Sequence, residues 1–240
     1  MVLSVRDLSK RYGAVQALDS VSLDLAAGSV TALVGDNGAG KSTLIKAISG
    51  VVLPSEGSIT VAGQQVRISR PHDAQALGIA TVYQDLALCE NLDVVANLFL
   101  GAEKHRAWWL RELSMEKTAR QLLSSLDVRI RDLGVPVAML SGGQRQSVAI
   151  ARALVGSPRV VILDEPTAAL GVEQTAQVLE LIRRLRDRGL AVLVISHNLA
   201  DVWAVSDRIA VLLLGRNNGT YVTADTDQQT IVAAITGAIR

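Results

Sequence analysis

A single cysteine, Cys89, stands among 240 residues. That excludes an intramolecular disulfide framework and fits a reducing compartment. Aromatic side chains amount to only 3%, so aliphatic residues have to fill the core. No stretch reaches the ~18 consecutive apolar residues of a membrane span. Arg6, Asp7, Lys10, Arg11 and Asp19 interrupt the first twenty residues, so no secretory apolar segment is expected there. Neither sign of charge is in excess, with 24 basic and 23 acidic side chains leaving a net charge of +1. Nucleic-acid binders usually carry a basic surplus, and this chain has none. Internal repeats, low-complexity tracts and Gly-, Ser- or Pro-rich linkers are also missing. The expectation is a soluble, cytosolic protein built as one composite domain, with an apolar content of 49% that is ample for a sizeable core.

What is present reads as α/β. Val30–Val34, Ile79–Val82, Arg159–Leu163, Ala191–Ile195 and Ile209–Leu214 are short, β-branched and without polar alternation, the pattern of buried parallel strands. Glu173–Arg188 carries Val178, Leu179, Ile182 and Leu185 at helical spacing and stops at Gly189. Strand, helix, strand at this spacing predicts βαβ crossovers. Val21–Leu25, Ser58–Val61 and Val66–Ile68 alternate apolar with polar residues, as half-buried antiparallel strands do. From Asp93 to Val155 the β signal gives way to helical composition. The expected architecture is a mainly parallel core and an antiparallel β layer within 1–85 and 156–240, with a helical subdomain at 86–155.

Three segments carry chemistry. Gly35-Asp36-Asn37-Gly38-Ala39-Gly40-Lys41-Ser42-Thr43 follows an apolar strand and opens a helix, the context that the phosphate loop pattern of an NTPase needs. Its glycines let successive N–H groups face phosphate, Lys41 reaches the β- and γ-phosphates, and Ser42 ligates Mg²⁺. Asp164-Glu165 ends an apolar strand, placing two carboxylates at the carboxyl edge of the sheet. One can hold the Mg²⁺ shell and the other can polarise an attacking water. Leu140-Ser141-Gly142-Gly143-Gln144 opens the helix Gln144–Val155 with a Ser141/Gln144 capping box. Two glycines there weaken a helix, which suits close approach of an anion to backbone N–H groups.

Taken in order, these motifs resemble the ATP-binding-cassette family over nearly the whole chain, with Leu140–Gln144 matching its signature motif. The resemblance implies an ATPase using ATP and Mg²⁺. Gln84 would be the Q-loop residue touching Mg²⁺ and relaying nucleotide state. His197 would orient the γ-phosphate and the water, Glu165 would be the general base, and Tyr12 would stack on adenine. It also implies a homodimer in which Ser141, Gly142, Gly143 and Gln144 of one subunit meet ATP on the phosphate loop of the other.

Thr81–Leu88, Asn91–Gly101 and Ser196–Val202 look closest to the branch that imports simple sugars such as ribose, fructose and xylose. Such a subunit would sit peripherally on the cytoplasmic face of the bacterial inner membrane. It would drive a separate transmembrane permease and, through it, a periplasmic sugar-binding protein, with no nucleic acid involved. Gly171 stands where the family usually has an aspartate that couples the two sites. Alternative readings are a soluble cassette ATPase acting on nucleic acid or ribosomes, a class that tends to carry tandem cassettes or long coiled coils, and a small-metabolite kinase, which has no use for the signature. Leu86–Leu92 is apolar for a loop and either packs beneath the insertion or lines a groove covered by the permease. Trp108 and Trp109 are either core residues or an anchor for such a partner.

Overall fold

The computed structural model describes residues 1–106 and 109–239. The chain opens with β1 (Leu3–Tyr12) and β2 (Val15–Leu25), an antiparallel pair. It continues through β3 (Ser29–Val34), α1 (Lys41–Ile48), β4 (Glu56–Val61), β5 (Gln64–Val66), α2 (Pro71–Ala76) and β6 (Ile79–Val82). The middle holds α3 (Val94–Phe99), the two-residue strands β7 (His105–Arg106) and β8 (Trp109–Leu110), α4 (Glu112–Ser125) and α5 (Gly142–Leu154). Then follow β9 (Val160–Asp164), α6 (Val172–Asp187), β10 (Ala191–Ile195), α7 (Leu199–Val205), β11 (Arg208–Leu213), β12 (Arg216–Val222) and α8 (Gln228–Thr236).

Two sheets are layered. The larger has the order β12-β11-β3-β10-β9-β6, parallel except for the β11–β12 pair. The smaller, β2-β1-β4-β5, is antiparallel throughout. Side chains of a strand point alternately to its two faces, and here they feed two different cores. Leu33, Ile162, Leu193 and Ile195 face α1 and the antiparallel sheet. Val161, Leu163, Val192 and Val194 face the helices, beside Leu98, Met115, Ile150 and Ile182. Both faces are apolar, which is why the central strands lack polar alternation.

Several boundaries differ from the sequence reading. The second short strand is Gln64–Val66 rather than Val66–Ile68, because the turn at Ala62-Gly63 pairs Val61 with Gln64. Leu214 leaves β11 for a left-handed turn (φ 49°) and lies exposed. Asp164 belongs to β9, paired in register with Ile195. The 93–155 region is not purely helical, since β7 and β8 pair antiparallel there. Trp109 is 80% exposed, so the core reading fails for it, and Trp108 lies outside the described residues.

Candidate active site at the sheet edge

Strand register assembles the site. Ile195 of β10 pairs with Leu33 on one side and Asp164 on the other, and Val82 of β6 pairs with Leu163. The carboxyl ends of four adjacent strands therefore release Gly35–Thr43, His197, Asp164-Glu165 and Gln84 at one edge. Ligands of open parallel sheets bind at that edge.

The phosphate loop turns on glycines with positive φ at Gly35, Gly38 and Gly40. At Gly40 a Cβ would lie 2.7 Å from the carbonyl oxygen of Ala17, so β2 as well as any phosphate demands glycine there. Helix α1 starts without a side-chain cap, leaving the N–H groups of Lys41, Ser42 and Thr43 free to point at an anion. The Lys41 ammonium donates to the carbonyls of Gly35 (2.7 Å) and Asp36 (3.1 Å). It thus folds across the loop mouth where phosphate oxygens would replace those carbonyls. Asp36 caps the loop, accepting from Asn37 N–H at 2.7 Å, and Ala39 N–H donates to the Asp36 carbonyl. This donor set fits a polyphosphate.

Asp164 and Glu165 take different environments. Burial and the neighbouring Glu165 charge push the Asp164 carboxyl above the usual range, while Lys41 and Lys46 pull it back. Glu165 has left-handed backbone (φ 50°), held by its N–H donating to Ile195 O at 3.0 Å. Its carboxylate meets His197 Nδ1 at 2.8 Å. The Glu165 side chain is mostly buried and His197 is open to solvent. Thr167 Oγ1 donates to the buried Asp201 at 2.6 Å, tying the loop after β9 to α7. Ser42 and Gln84 are exposed at the same edge. Tyr12 is 45% exposed near the end of the β1–β2 hairpin, with Lys10 Nζ 5.1 Å from its ring centroid.

The raised Asp164 pKa has a testable sign. The folded chain binds this proton more tightly than the unfolded one, so stability falls as pH rises above 3.8 through the folded value. Asp164→Asn should raise the thermal midpoint of the nucleotide-free protein at neutral pH. The gain should shrink as pH falls towards 3.8. An equal gain at both ends of a pH series would contradict the burial argument.

The signature segment lies elsewhere. Ser141 Oγ accepts from Gln144 N–H at 3.2 Å, and Gln144 Oε1 accepts from Ser141 N–H at 3.0 Å, forming the expected capping box. A Cβ on Gly143 would lie 3.1 Å from Gln174 Cβ, and one on Gly142 3.1 Å from Leu170 Cδ2. The glycines thus also serve close packing of α5 against the start of α6, a demand invisible in the sequence. Gly171 is the N-cap of that helix, its N–H donating to Gln174 Oε1 at 3.3 Å. Ser141 and Gln144 line a cavity of about 680 Å³ with Arg129, Glu173 and Gln177, to which no phosphate-loop residue contributes.

A second cavity of about 370 Å³ lies between β6 and the helices, lined by Tyr83, Asp85, Leu86, Leu98, Leu100 and Ala149 among others. Leu86 lines it and also packs on the helical core, whereas Leu88 only packs. Both leucines thus pack as one expectation had it, and Leu86 in addition borders the cavity. Three side chains escaped the sequence reading: Thr167, Asp201 and Arg152. Only for Arg152 was there a sequence signal, a cation on α5 between the apolar residues Ala149, Ala151 and Leu154.

The ABC transporter family profile matches residues 18–168. The xylose/arabinose import ATP-binding protein of Sulfolobus acidocaldarius is 48% identical, covering 90% of this chain and 86% of that protein. The fructose import ATP-binding protein of Rhizobium meliloti is 47% identical over 99% of this chain and 94% of its own length. The galactofuranose transporter ATP-binding protein of Escherichia coli K12 is 42% identical, with 98% of this chain matching only 47% of that protein. Among solved structures, an ATP-binding cassette of an ABC transporter in its ADP conformation superposes with a TM-score of 0.84 at 26% identity. That match covers 98% of this chain and 94% of the other. A subunit of an ABC transporter complex from Clostridium perfringens gives 0.82 at 28% identity, covering 99% and 94%.

Proposed function

The chain belongs to the ABC transporter family, and from that premise we propose that it is the ATP-binding and ATP-hydrolysing subunit powering import of a simple sugar through a separate permease. The observation that carries the ATPase reading is the Glu165–His197 pair at 2.8 Å, just beyond the carboxyl ends of β9 and β10, of which β10 pairs with the strand leading into the phosphate loop. ATP is the substrate. The phosphate loop and Lys41 hold its phosphates, and Tyr12 offers an exposed ring to the adenine. Glu165 accepts the proton of the attacking water as its oxygen bonds to the γ-phosphorus and ADP leaves. His197, fixed through Nδ1 by Glu165, would turn Nε2 towards the γ-phosphoryl oxygens, to which it donates in the imidazolium form. Mg²⁺, held by Ser42, Gln84 and Asp164, would neutralise charge on the β- and γ-oxygens. The remaining ligands of such a cation would be phosphate and water oxygens.

The sugar reading is supported by the sugar-import relatives, which span nearly all of this chain. They lend nothing to a nucleic-acid role. No helix among the described residues is long and apolar enough to cross a membrane; in this reading the path through the membrane belongs to the separate permease. We place the chain as one cassette of 1–240, peripheral on the cytoplasmic face, with 86–155 as its helical subdomain. The cavity beside Tyr83–Ala87 is the natural seat for the permease, and the periplasmic binding protein would act through that permease. Leu86→Asp should abolish co-purification with the permease while ATP binding by the subunit persists. Unchanged co-purification would remove this seat.

The cavity beside the signature is lined by Ser141 and Gln144 and by no phosphate-loop residue, which supports a reading in which the signature meets ATP held by a second copy. In the Glu165→Gln background, ATP·Mg²⁺ should shift the chain from monomer to dimer on sizing. Ser141→Ala should block that shift. Losing the cap costs the fold only about 1 kcal/mol, too little to unfold the chain. Dimer formation by Ser141→Ala at the same ATP concentration would place the signature outside the nucleotide site.

A further inference from the structure

Between β6 and α3 the chain passes from the phosphate-binding layer to the helices, and its side-chain bonds divide sharply. On the near side, the Tyr83 hydroxyl lies 2.9 Å from Ser49 Oγ, at the C-cap of α1. Tyr83 is thereby fixed to the helix that begins at Lys41. On the far side, Arg152 of α5 donates from Nη1 to Ala87 O (2.8 Å) and from Nη2 to Leu86 O (2.9 Å). The guanidinium fork spans two consecutive carbonyls, a geometry an ammonium cannot copy. Burial holds the Arg152 pKa below the usual guanidinium value, and among the described residues no carboxylate pairs with it. Its side-chain hydrogen bonds go to two backbone carbonyls, so the partly buried charge is held against the loop without a carboxylate partner.

The segment it grips is itself strained. Ala87 has left-handed backbone (φ 48°), and its N–H donates to Asp85 Oδ1 at 3.2 Å. Beyond it, the fully buried Asn97 accepts from Cys89 N–H and donates to the carbonyls of Cys89, Leu92 and Asp93. From Leu86 onward, therefore, the connection is bonded to the helices, and up to Tyr83 it is bonded to the core. Only Gln84 and Asp85 lie between the two sets of bonds.

We propose that Arg152 is a positioning residue that makes Gln84 follow the signature helix, with Tyr83–Ser49 as the opposing anchor on the phosphate-binding core. The same helix that opens at Ser141 holds, eleven residues later, the exit of the segment carrying Gln84. Displacement of α5 by a second subunit's nucleotide is then delivered directly to Gln84. This inference rests on the assignment of Gln84 to the metal-bound nucleotide.

A double-mutant cycle on ATP hydrolysis by the whole chain tests it, without any permease. Arg152→Lys should lower kcat about fivefold or more, the lower end of a coupling between sites, with the KM for ATP unchanged. In the Gln84→Ala background the same substitution should change kcat by less than about twofold, the scatter expected when no further effect is present. Tyr83→Phe deletes one hydroxyl and should show the same non-additivity, which serves if Arg152→Lys does not fold. Additive losses in both backgrounds, or parental kcat in both single variants, would overturn the proposal. A parental kcat for Gln84→Ala alone would remove the assignment of Gln84 and the positioning role with it. Failure to bind a permease would leave this result untouched.

Discussion

Glu165→Gln should retain ATP binding and lose hydrolysis. The substitution keeps the side chain's size and the contact towards His197 Nδ1, but its amide cannot accept the proton of the attacking water. Removing a positioned general base costs about 10²–10⁴ in rate, and kcat should fall by that factor. The backbone constraint should survive, because the left-handed conformation of residue 165 is held by its N–H bond to Ile195 rather than by the carboxylate. The thermal midpoint should accordingly change little and the ATP dissociation constant hardly at all. Phosphate release and calorimetric titration check the two halves separately. Turnover within about twofold of the parent, well short of that range, would mean that another group activates the water.

Lys41→Ala should do the opposite and fail at binding. The Lys41 ammonium donates to the carbonyls of Gly35 and Asp36 at the loop mouth. Those bonds are ready to be exchanged for phosphate oxygens, and a hydrogen bond to a charged group contributes about 1.5–3 kcal/mol. The loss corresponds to about a 10- to 150-fold weaker ATP affinity, more where two oxygens are contacted. The loop itself should persist, since Gly40 is fixed by β2 and Ala39 N–H by the Asp36 carbonyl. Lys41→Arg tests whether charge alone suffices. A point charge at this depth is what the loop accommodates, and the wider guanidinium should restore little. Parental affinity in Lys41→Ala would show that backbone N–H groups alone hold the phosphates.

How much of this was legible depended on how local each cause was. The central strands announced themselves because both faces of the larger sheet are apolar. The phosphate loop, the capping box at Ser141 and the acids ending β9 are local patterns with fixed spacing. β1 was illegible because bulges break its period of two: the pairing with β2 shifts register between Val5 and Leu8. Only the last half of β2 was legible, for its alternation is interrupted at Ser20, where φ is 52°. β12 is an edge strand with mostly exposed residues on both faces, leaving no apolar signal to read. The double glycine at 142–143 looked like an adaptation to an anion alone, and its packing against Leu170 and Gln174 appears only once α6 is in place. Arg152 reaches across 65 and 66 residues of sequence to its carbonyls. No local pattern specifies a partner at that distance.

Powered sugar movement is most directly tested in vesicles holding the subunit and its permease, with the sugar-binding protein on the opposite face. Radiolabelled xylose, fructose and ribose are offered in turn, with ATP·Mg²⁺ supplied to the subunit's side. Uptake of at least one sugar should appear only with ATP and should vanish in vesicles carrying Glu165→Gln. Uptake that continues at the parental rate with Glu165→Gln, or ATP hydrolysis that proceeds while no sugar accumulates, would contradict the assignment of this chain as the motor of a sugar importer.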